Sequence, residues 1–505
     1  MNNSKALPGK APLVEALLRH REANPAPFYM PGHKGRPLGL ETLAPTSAWD
    51  MTELPGTGNL YEGGDVIAQA EELWAHAFGF PTCQFLTGGS TQGLHAALLL
   101  AAREGRELLA DRCSHRSVFN AMALLDLNPT YLVRGQDAPV TPEGLEEALL
   151  RREKEGRPAN TVCVTSPTYY GVLSDVKALS RVAHAHGAQL VVDGAHGCHL
   201  PFLGKNPFEG ADLLVCSAHK TLPVYGQGAL LFAAGGYSPK AVRHAASMVG
   251  TSSPSYPVMA SMDYARAWLE SKEGQLALLC VKSCAATLTA RFGGLGASRS
   301  TSLDGREEAR FGGLGASPFT PPDGREEVRI GGAAMDASVE SVRPEGLRVD
   351  PLRLTLEVPD RGGFELKKCL EEDGVFPEMA DRDHVVFLFS TGNTQGDFDR
   401  LRKALERWYT PGSLERAPLP PEPEQILSPA ASLLARRASK RLDECEGLVA
   451  AEQLAPYPPG IPVVAPGERI TKKCLAYLAD VGYNVHQEVD VLPQKAAAPR
   501  ERETL

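Results

Sequence analysis

The sequence lacks the features that mark secreted, membrane or nucleic-acid-binding proteins. Its ten cysteines include no CxxC pair, and scattered thiols are typical of a reducing cytoplasm. The longest mostly apolar run, residues 94–102 with His95 inside it, is too short to span a bilayer, and no apolar signal core follows Met1. The net charge of −9 disfavours a nucleic-acid partner. We therefore expect a cytoplasmic protein with neither a nucleic-acid nor a membrane partner.

What is present is an ordinary globular composition, 43% hydrophobic and 22% charged, over 505 residues. That length suffices for several domains. Composition shifts predict an N-terminal arm (1–50), a large α/β domain (51–265), a smaller α/β domain (266–412) and a Pro-rich linker leading to a small C-terminal domain (413–505).

The large region alternates short apolar segments with helical patterns. The predicted strands are 83–87, 107–110, 130–133, 161–165, 189–192, 213–217 and 229–232, and helices are predicted at 92–102, 141–153 and 176–185. Such alternation is typical of a mostly parallel, doubly wound sheet. Because ligands bind beyond the carboxyl ends of these strands, the polar residues that follow each strand are candidate site residues.

The smaller region has predicted strands at 353–358 and 384–389, a predicted helix at 397–408 and a tandem repeat. Residues 291–298 recur at 310–317, and residues 304–308 recur at 323–327, a period of 19 residues. Two copies are too few to bury a core by stacking. The Gly, Arg and Glu content therefore predicts a duplicated, exposed loop at about 290–330.

A Gly-rich turn joins the first predicted strand to a helix. Ser90, Thr91 and Gln92 lie in this turn, where backbone N–H groups and the helix dipole favour a phosphate. The alternative is a plain helix N-cap. No Lys follows as in a nucleotide-binding P-loop.

Three further clusters follow strands. Asp193 closes an apolar strand and is suited to pair with a protonated ring nitrogen; metal binding by Asp193, His196 and His199 is a less favoured alternative, because these ligands are crowded. His115 could stack on an aromatic ring or be a solvated histidine. Thr168 could bond a cofactor substituent or form a turn.

The last cluster is Ser-Ala-His-Lys-Thr at 217–221, directly after an apolar run. A partly desolvated lysine loses pKa and becomes a nucleophile able to form a Schiff base, whereas the simpler reading is a surface lysine at a helix start. The combination decides between them. A phosphate cradle, a stacking histidine, an aspartate and a lysine, each after a strand, match what pyridoxal 5′-phosphate requires.

The ordered motifs resemble the Orn/Lys/Arg decarboxylases of the aspartate aminotransferase (fold type I) class. The motifs are found at residues 31–35, 50–56, 88–93, 112–117, 167–171, 193–199, 217–221, 251–256, 457–462 and 466–468. The chain resembles the shorter, bacterial-type members without a wing domain. The resemblance implies a mostly parallel large-domain sheet, a smaller α/β domain and a small C-terminal domain.

The resemblance also implies roles for the reacting residues. Lys220 would carry the cofactor as a Schiff base, and Asp193 would pair with its pyridinium nitrogen. His115 and Ala195 would lie on the two faces of the ring. His219 would lie beside the Schiff base and assist proton transfer.

Other positions would hold the phosphate or complete the site. Ser90, Thr91 and Ser217 would bind the phosphate. The remaining predicted members of the site are Gln92, Thr168 and His196 at the cofactor, Thr251 and Ser252 toward the neighbouring subunit's site, and Glu468 near the substrate mouth. A homodimer or higher homo-oligomer with shared active sites follows from this, and no metal is expected.

The implied activity is decarboxylation of arginine, lysine or ornithine to agmatine or a diamine plus CO2, in polyamine biosynthesis. One departure from the family pattern is Gly194, where a glutamate is usual. This departure and the repeat leave open the alternative of a catalytically silent regulatory homologue. Another fold type I reaction, such as transamination, is a third possibility. The sequence does not choose among the three amino acids.

Overall fold

The computed structural model describes residues 7–23, 30–31, 33–34, 44–295, 348–412, 414, 419–456 and 460–493. The chain divides into two units. The first comprises Met1–Tyr169, Ser174–Lys272 and Arg416–Leu505, and the second comprises Tyr170–Leu173 and Glu273–Glu415. The four-part domain division predicted from composition stays a prediction.

The elements are numbered in chain order. The helices are α1 (Pro12–Glu22), α2 (Ala44–Ser47), α3 (Val66–Phe78), α4 (Gly89–Ala101), α5 (Arg116–Leu124), α6 (Pro142–Lys154), α7 (Val176–Ala185), α8 (Ala218–Thr221), α9 (Pro239–Met248), α10 (Tyr256–Glu270), α11 (Lys272–Phe292), α12 (Gly363–Glu372), α13 (Gln395–Trp408), α14 (Pro429–Leu434) and α15 (Lys472–Asp480). The strands are β1 (Thr82–Leu86), β2 (Glu107–Asp111), β3 (Asn128–Leu132), β4 (Thr161–Thr165), β5 (Val172–Leu173), β6 (Gln189–Asp193), β7 (Leu213–Cys216), β8 (Ala229–Ala233), β9 (Arg348–Val349), β10 (Arg353–Glu357), β11 (Met379–Ala380), β12 (His384–Leu388), β13 (Ala438–Arg441) and β14 (Glu488–Val491).

The first unit is built on a seven-stranded sheet in the order β1-β8-β7-β6-β4-β2-β3. The five strands from β3 to β7 in this order are parallel. β8 is antiparallel to both β7 and β1, so β1 again runs in the direction of β7. The mostly parallel sheet predicted from the sequence is confirmed, and all seven strands lie within two residues of the predicted bounds.

Burial of both sheet faces explains why these strands could be predicted from the sequence. β1, β7 and β8 are buried along their whole length, and helices α4, α7 and α9 pack against the sheet. A strand covered on both faces is a nearly continuous apolar run. The helices are bounded by side-chain caps, such as Thr141 before α6 and Asp175 before α7, so their starts are also encoded locally.

The C-terminal segment of the first unit has its own apolar cluster. Strands β13 and β14 pair in an antiparallel ladder, and α15 contributes Cys474 and Leu478 to a buried cluster that also holds Leu442, Val464 and Val491. Throughout the described part of the chain, no helix combines the length and apolarity needed to cross a membrane.

The second unit contains the antiparallel sheet β10-β12-β11 and the short pair β5-β9. Helix α13 begins at Gln395, two residues before the predicted start, because Thr394 and Asp397 form a reciprocal capping box. The predicted strands 353–358 and 384–389 correspond to β10 and β12. Most of the predicted repeat loop, from residue 296 to 330, lies outside the described residues.

Candidate active site

Polar residues gather at one edge of the seven-stranded sheet. Because β1, β2, β4, β6 and β7 run in the same direction, their carboxyl ends meet at this edge. The ends of these strands and the segments that follow them carry Ser90, His115, Thr168, Asp193 and Lys220, whereas Thr251, Ser252 and Glu468 lie in other parts of the chain. The fold therefore brings the segments of the first group to one edge of the sheet, and the roles predicted for their side chains stay predictions.

The Gly-rich turn and the lysine segment meet through two hydroxyl groups. Ser90 Oγ lies 2.6 Å from Ser217 Oγ. Gly89, at φ 71°, begins α4, so the free N–H groups of a long helix start beside this hydroxyl pair. Thr91 is exposed in the first turn of α4. Hydroxyl donors at a helix N-terminus are the donor set that a phosphate group requires.

The side chain of Gln92 makes hydrogen bonds that hold the Gly-rich turn. Its Oε1 accepts from Gly88 N at 2.9 Å, and its Nε2 donates to Ala246 O at 3.0 Å and to Tyr61 Oη at 3.3 Å. Both ends of the side-chain amide therefore have partners within the protein, and Gln92 helps to shape the turn. Its predicted contact with the cofactor stays a prediction.

The Gln227–Gly228 segment connects the turn to the lysine segment. Gln227 O accepts from Gly89 N at 2.9 Å. Gly228 O accepts from His219 N at 3.1 Å and from His219 Nδ1 at 2.9 Å. The two successive carbonyls reach these partners with Gln227 at φ 75°, in the left-handed region. Sequence reasoning missed this residue, because an exposed glutamine carries no motif of its own.

We expect the left-handed backbone at Gln227 to be sensitive to β-branching. Gln227→Val should lower the free energy of unfolding by about 1–3 kcal/mol, since a β-branched residue is strained at positive φ. Gln227→Gly should leave it within about 0.5 kcal/mol or raise it, because glycine adopts this conformation freely. Urea unfolding of both variants tests the prediction, and equal stabilities would contradict it.

Lys220 lies beside His196. Lys220 Nζ is 3.0 Å from His196 Nε2, and the His196 ring packs against Tyr169 with ring centroids 4.6 Å apart. The lysine is half-buried, as its motif predicted, and it lies in the short helix α8, which follows β7. A half-buried amine within hydrogen-bond distance of an imidazole is placed for proton exchange.

Asp193 is the last residue of β6 and is 2% exposed. Burial raises the pKa of its carboxyl, and the charge of Lys220 and the Ala195 N–H, which donates to Oδ1 at 3.1 Å, act against that rise. A buried carboxylate in such a position is stabilised by a cation. Ala195 is itself buried. These surroundings fit a protonated ring nitrogen, which is what the sequence predicted.

His115 is the N-cap of α5. Its Nδ1 accepts from Ser117 N at 3.2 Å and lies 2.9 Å from Ser117 Oγ. Burial lowers the pKa of the imidazole to about 4, with the charges of Lys220 and Arg116 adding to the effect. The ring is therefore neutral at pH 7, which suits a group that stacks on a cationic ring.

His219 is also held in one tautomer. Because Gly228 O can only accept, Nδ1 carries the proton, and Nε2 of the neutral ring carries the lone pair. Burial lowers the pKa of this imidazole as well.

Buried hydroxyls add to the polar lining: within the described part of the chain, the side-chain oxygens of Thr87, Ser114 and Thr165 have no hydrogen-bond partner, as expected where a polar ligand belongs.

Glu468, which the sequence predicted near the substrate mouth, forms an ion pair with a buried arginine. Its carboxylate receives Arg112 Nη1 and Nη2 at 3.0 and 2.9 Å, and Ala465 N at 2.7 Å. Glu468 is 1% exposed and Arg112 is 2% exposed. Burial raises the pKa of the carboxyl, and Arg112 acts against it. The pair attaches the C-terminal segment to the end of β2 and gives both carboxylate oxygens a partner within the protein. The predicted place of Glu468 near the substrate mouth stays a prediction.

The other predicted residues are located as follows. Thr168 is buried in the segment after β4. Thr251 and Ser252 are exposed in the loop after α9, where Thr251 Oγ1 accepts from Ser253 N at 3.1 Å. Their predicted roles stay predictions. In the residues that the structure describes, no group of three His, Cys, Asp or Glu side chains is arranged to hold a metal ion.

A side chain at Gly194 would require neighbouring side chains to shift. A Cβ added there would lie 2.7 Å from Leu214 Cδ1 and 3.2 Å from both Cys216 Sγ and Phe208 Cε1. The glycine N–H donates to Val215 O at 2.8 Å. The departure from the family pattern is therefore matched by the packing of its neighbours.

Comparison with known proteins agrees with this site. The model of the Orn/Lys/Arg decarboxylase major domain matches residues 11–397, and that of the C-terminal domain matches residues 419–487. The chain is 29% identical over 502 residues to YaaO, an uncharacterized Bacillus subtilis protein, and 26% identical over 498 residues to an arginine decarboxylase of Halalkalibacterium halodurans, in each case over 93% of both chains. The Francisella novicida lysine decarboxylase LdcF superposes with a TM-score of 0.73 at 19% identity, over 96% of this chain and 81% of that one.

The fold and the strand-end site thus define an enzyme of the fold type I class, whose members depend on pyridoxal phosphate. Within that class, this chain belongs to the Orn/Lys/Arg decarboxylase family. The predicted decarboxylation of basic amino acids is confirmed at that level.

Proposed function

We propose that this chain decarboxylates arginine to agmatine and CO2, with pyridoxal 5′-phosphate bound covalently by Lys220. The observation that carries the proposal is the cluster of Lys220 with His196, beside the buried Asp193, at the carboxyl edge of the sheet. Arginine is favoured because the arginine decarboxylase relative aligns over 93% of both chains. Bound pyridoxal phosphate supplies an electron sink for the pair of electrons left on Cα when CO2 departs.

The chain's own residues prepare that step. Asp193 holds positive charge at the ring nitrogen, and its burial strengthens this interaction. His115 contributes a flat neutral ring, and Ala195 a small side chain that allows close approach. Ser90 and Ser217 offer hydroxyl donors to the phosphate. His219, whose Nδ1 is held by Gly228 O, presents Nε2 as a group that can hold or return a proton.

The assembly and cellular role are also proposals. The exposed Thr251 and Ser252 suit a contact across a homodimer in which each subunit completes the other's site. The product, a decarboxylated basic amino acid, suits a step of polyamine biosynthesis in the cytoplasm.

Release of CO2 from the three basic amino acids tests the proposal. Purified protein with added pyridoxal phosphate should release CO2 from arginine with a kcat/KM at least about 10-fold above that for lysine or ornithine. A preference for lysine or ornithine would overturn the substrate assignment alone. Transfer of the amino group without CO2 release, or no cofactor spectrum at all, would overturn the decarboxylase assignment to this chain.

A further inference from the structure

His196 is the imidazole that the structure places at hydrogen-bond distance from the lysine amine, with Nε2 3.0 Å from Lys220 Nζ. We propose that His196 is a catalytic residue, the acid–base partner of Lys220 each time this lysine joins or leaves the cofactor. The proposal rests on the function proposed above, in which Lys220 is the cofactor anchor. Sequence motifs gave His196 only a cofactor contact or a place in a metal site.

The surroundings hold the His196 ring in place. The side chain is 7% exposed, and Tyr169 packs against its ring at 4.6 Å between centroids. The following residue, Gly197, allows no Cβ, because Phe208 Cζ and Pro167 Cδ would lie 2.7 and 2.8 Å away. Gly197 N also donates to Gly194 O at 2.9 Å. A loop packed this closely keeps Nε2 directed at the lysine.

The proton balance requires such a group. Nζ must lose a proton before its lone pair can form a bond to the aldehyde carbon of the cofactor, whose oxygen would leave as water. When a substrate amine later displaces Nζ, the Nζ–C bond would break and Nζ would gain a proton. Nε2 of His196 accepts the proton in the first case and returns it in the second, so the cycle consumes no proton. A positioned histidine contributes about 10²–10⁴-fold to such transfers.

Other titratable groups around Lys220 are suited to different tasks. The neighbours whose pKa responds to its charge are Asp193 at the end of β6, His115 at the start of α5 and His219 on α8. Asp193 is the proposed partner of the cofactor's ring nitrogen. His115 has Nδ1 on Ser117, and His219 has Nδ1 on Gly228 O.

Cofactor capture by the cofactor-free protein tests the proposal without relying on turnover. Pyridoxal phosphate is added to full-length protein at pH 6 to 9, and the rate at which the visible absorption band appears measures capture by Lys220. In His196→Gln, which retains hydrogen bonding but cannot take up a proton, capture should be about 100-fold slower, with unchanged final absorbance and without the pH dependence of the wild type. His76→Gln, at an exposed position on α3, should match the wild type.

Rescue separates proton transfer from packing. In His196→Ala, added imidazole should restore capture in proportion to the concentration of its neutral form, because the deleted ring leaves space beside Nζ. Capture by His196→Gln at the wild-type rate and pH dependence would overturn the proposal, and so would slow capture that imidazole leaves unchanged. A visible band that persists in Lys220→Ala would instead overturn the proposed function, whatever the His196 variants do.

Discussion

Lys220→Ala is expected to abolish decarboxylation, with kcat at least about 1,000-fold lower, as for loss of other covalent catalytic residues. The visible absorption band of the bound cofactor should also disappear, since Lys220 Nζ is the amine proposed to form the covalent bond. The reason is geometric: Nζ lies 3.0 Å from His196 Nε2, its charge acts on the buried Asp193, and the segment that carries it also places Ser217 beside Ser90. Turnover assays and an absorption spectrum of the same sample measure both losses.

The matched control for this substitution is Lys177→Ala. Lys177 forms an exposed ion pair with Glu209 on the surface of the same unit, so its removal should leave turnover and spectrum unchanged. Thermal unfolding of Lys220→Ala should show that the fold is intact. Substantial turnover in Lys220→Ala would show that the cofactor is anchored elsewhere.

Glu468→Gln is expected to lower the free energy of unfolding by about 3–5 kcal/mol, because it leaves the Arg112 charge buried without its partner. Arg112 donates to both carboxylate oxygens and to Val463 O, and it stacks over Tyr131 at 4.7 Å. The Arg112–Glu468 pair connects positions 356 residues apart in the sequence. Its loss therefore weakens the attachment of the C-terminal segment, and urea unfolding measures the change.

Two further variants separate the cost of an orphaned charge from that of lost packing. Arg112→Met combined with Glu468→Leu removes both charges and should be closer to wild-type stability than either single change. Arg106→Met, in the exposed pair with Asp126, should cost less than about 1 kcal/mol. If Glu468→Gln behaves like Arg106→Met, the buried pair does not hold the segment.

The sequence predicted the sheet well, for a physical reason. Strands such as β4 and β7 are buried on both faces, so their apolar runs are bounded by polar residues at the edge where ligands bind. Local caps also place the starts of α6 and α7 within one residue of the predicted ones, whereas α4 begins three residues and α13 two residues before its predicted start.

Contacts between distant parts of the chain could not be predicted this way. The Lys220–His196 distance depends on the register of β6 against β7 and on the loop after β6. Glu468 was predicted to face a substrate, because no local pattern reveals its pairing with Arg112. Gln227 was missed since its function lies in two backbone carbonyls rather than in its side chain. In each case a tertiary contact determined what the residue does.

The packing around Gly194 also constrains how this chain can evolve. Because Leu214, Cys216 and Phe208 fill the space where a Cβ would lie, restoring the glutamate usual in the family requires concerted changes at these neighbours. A single substitution at Gly194 therefore brings its Cβ against Leu214 Cδ1. Which residues are tolerated at position 194 thus depends on the side chains at positions 208, 214 and 216, a form of epistasis within the core.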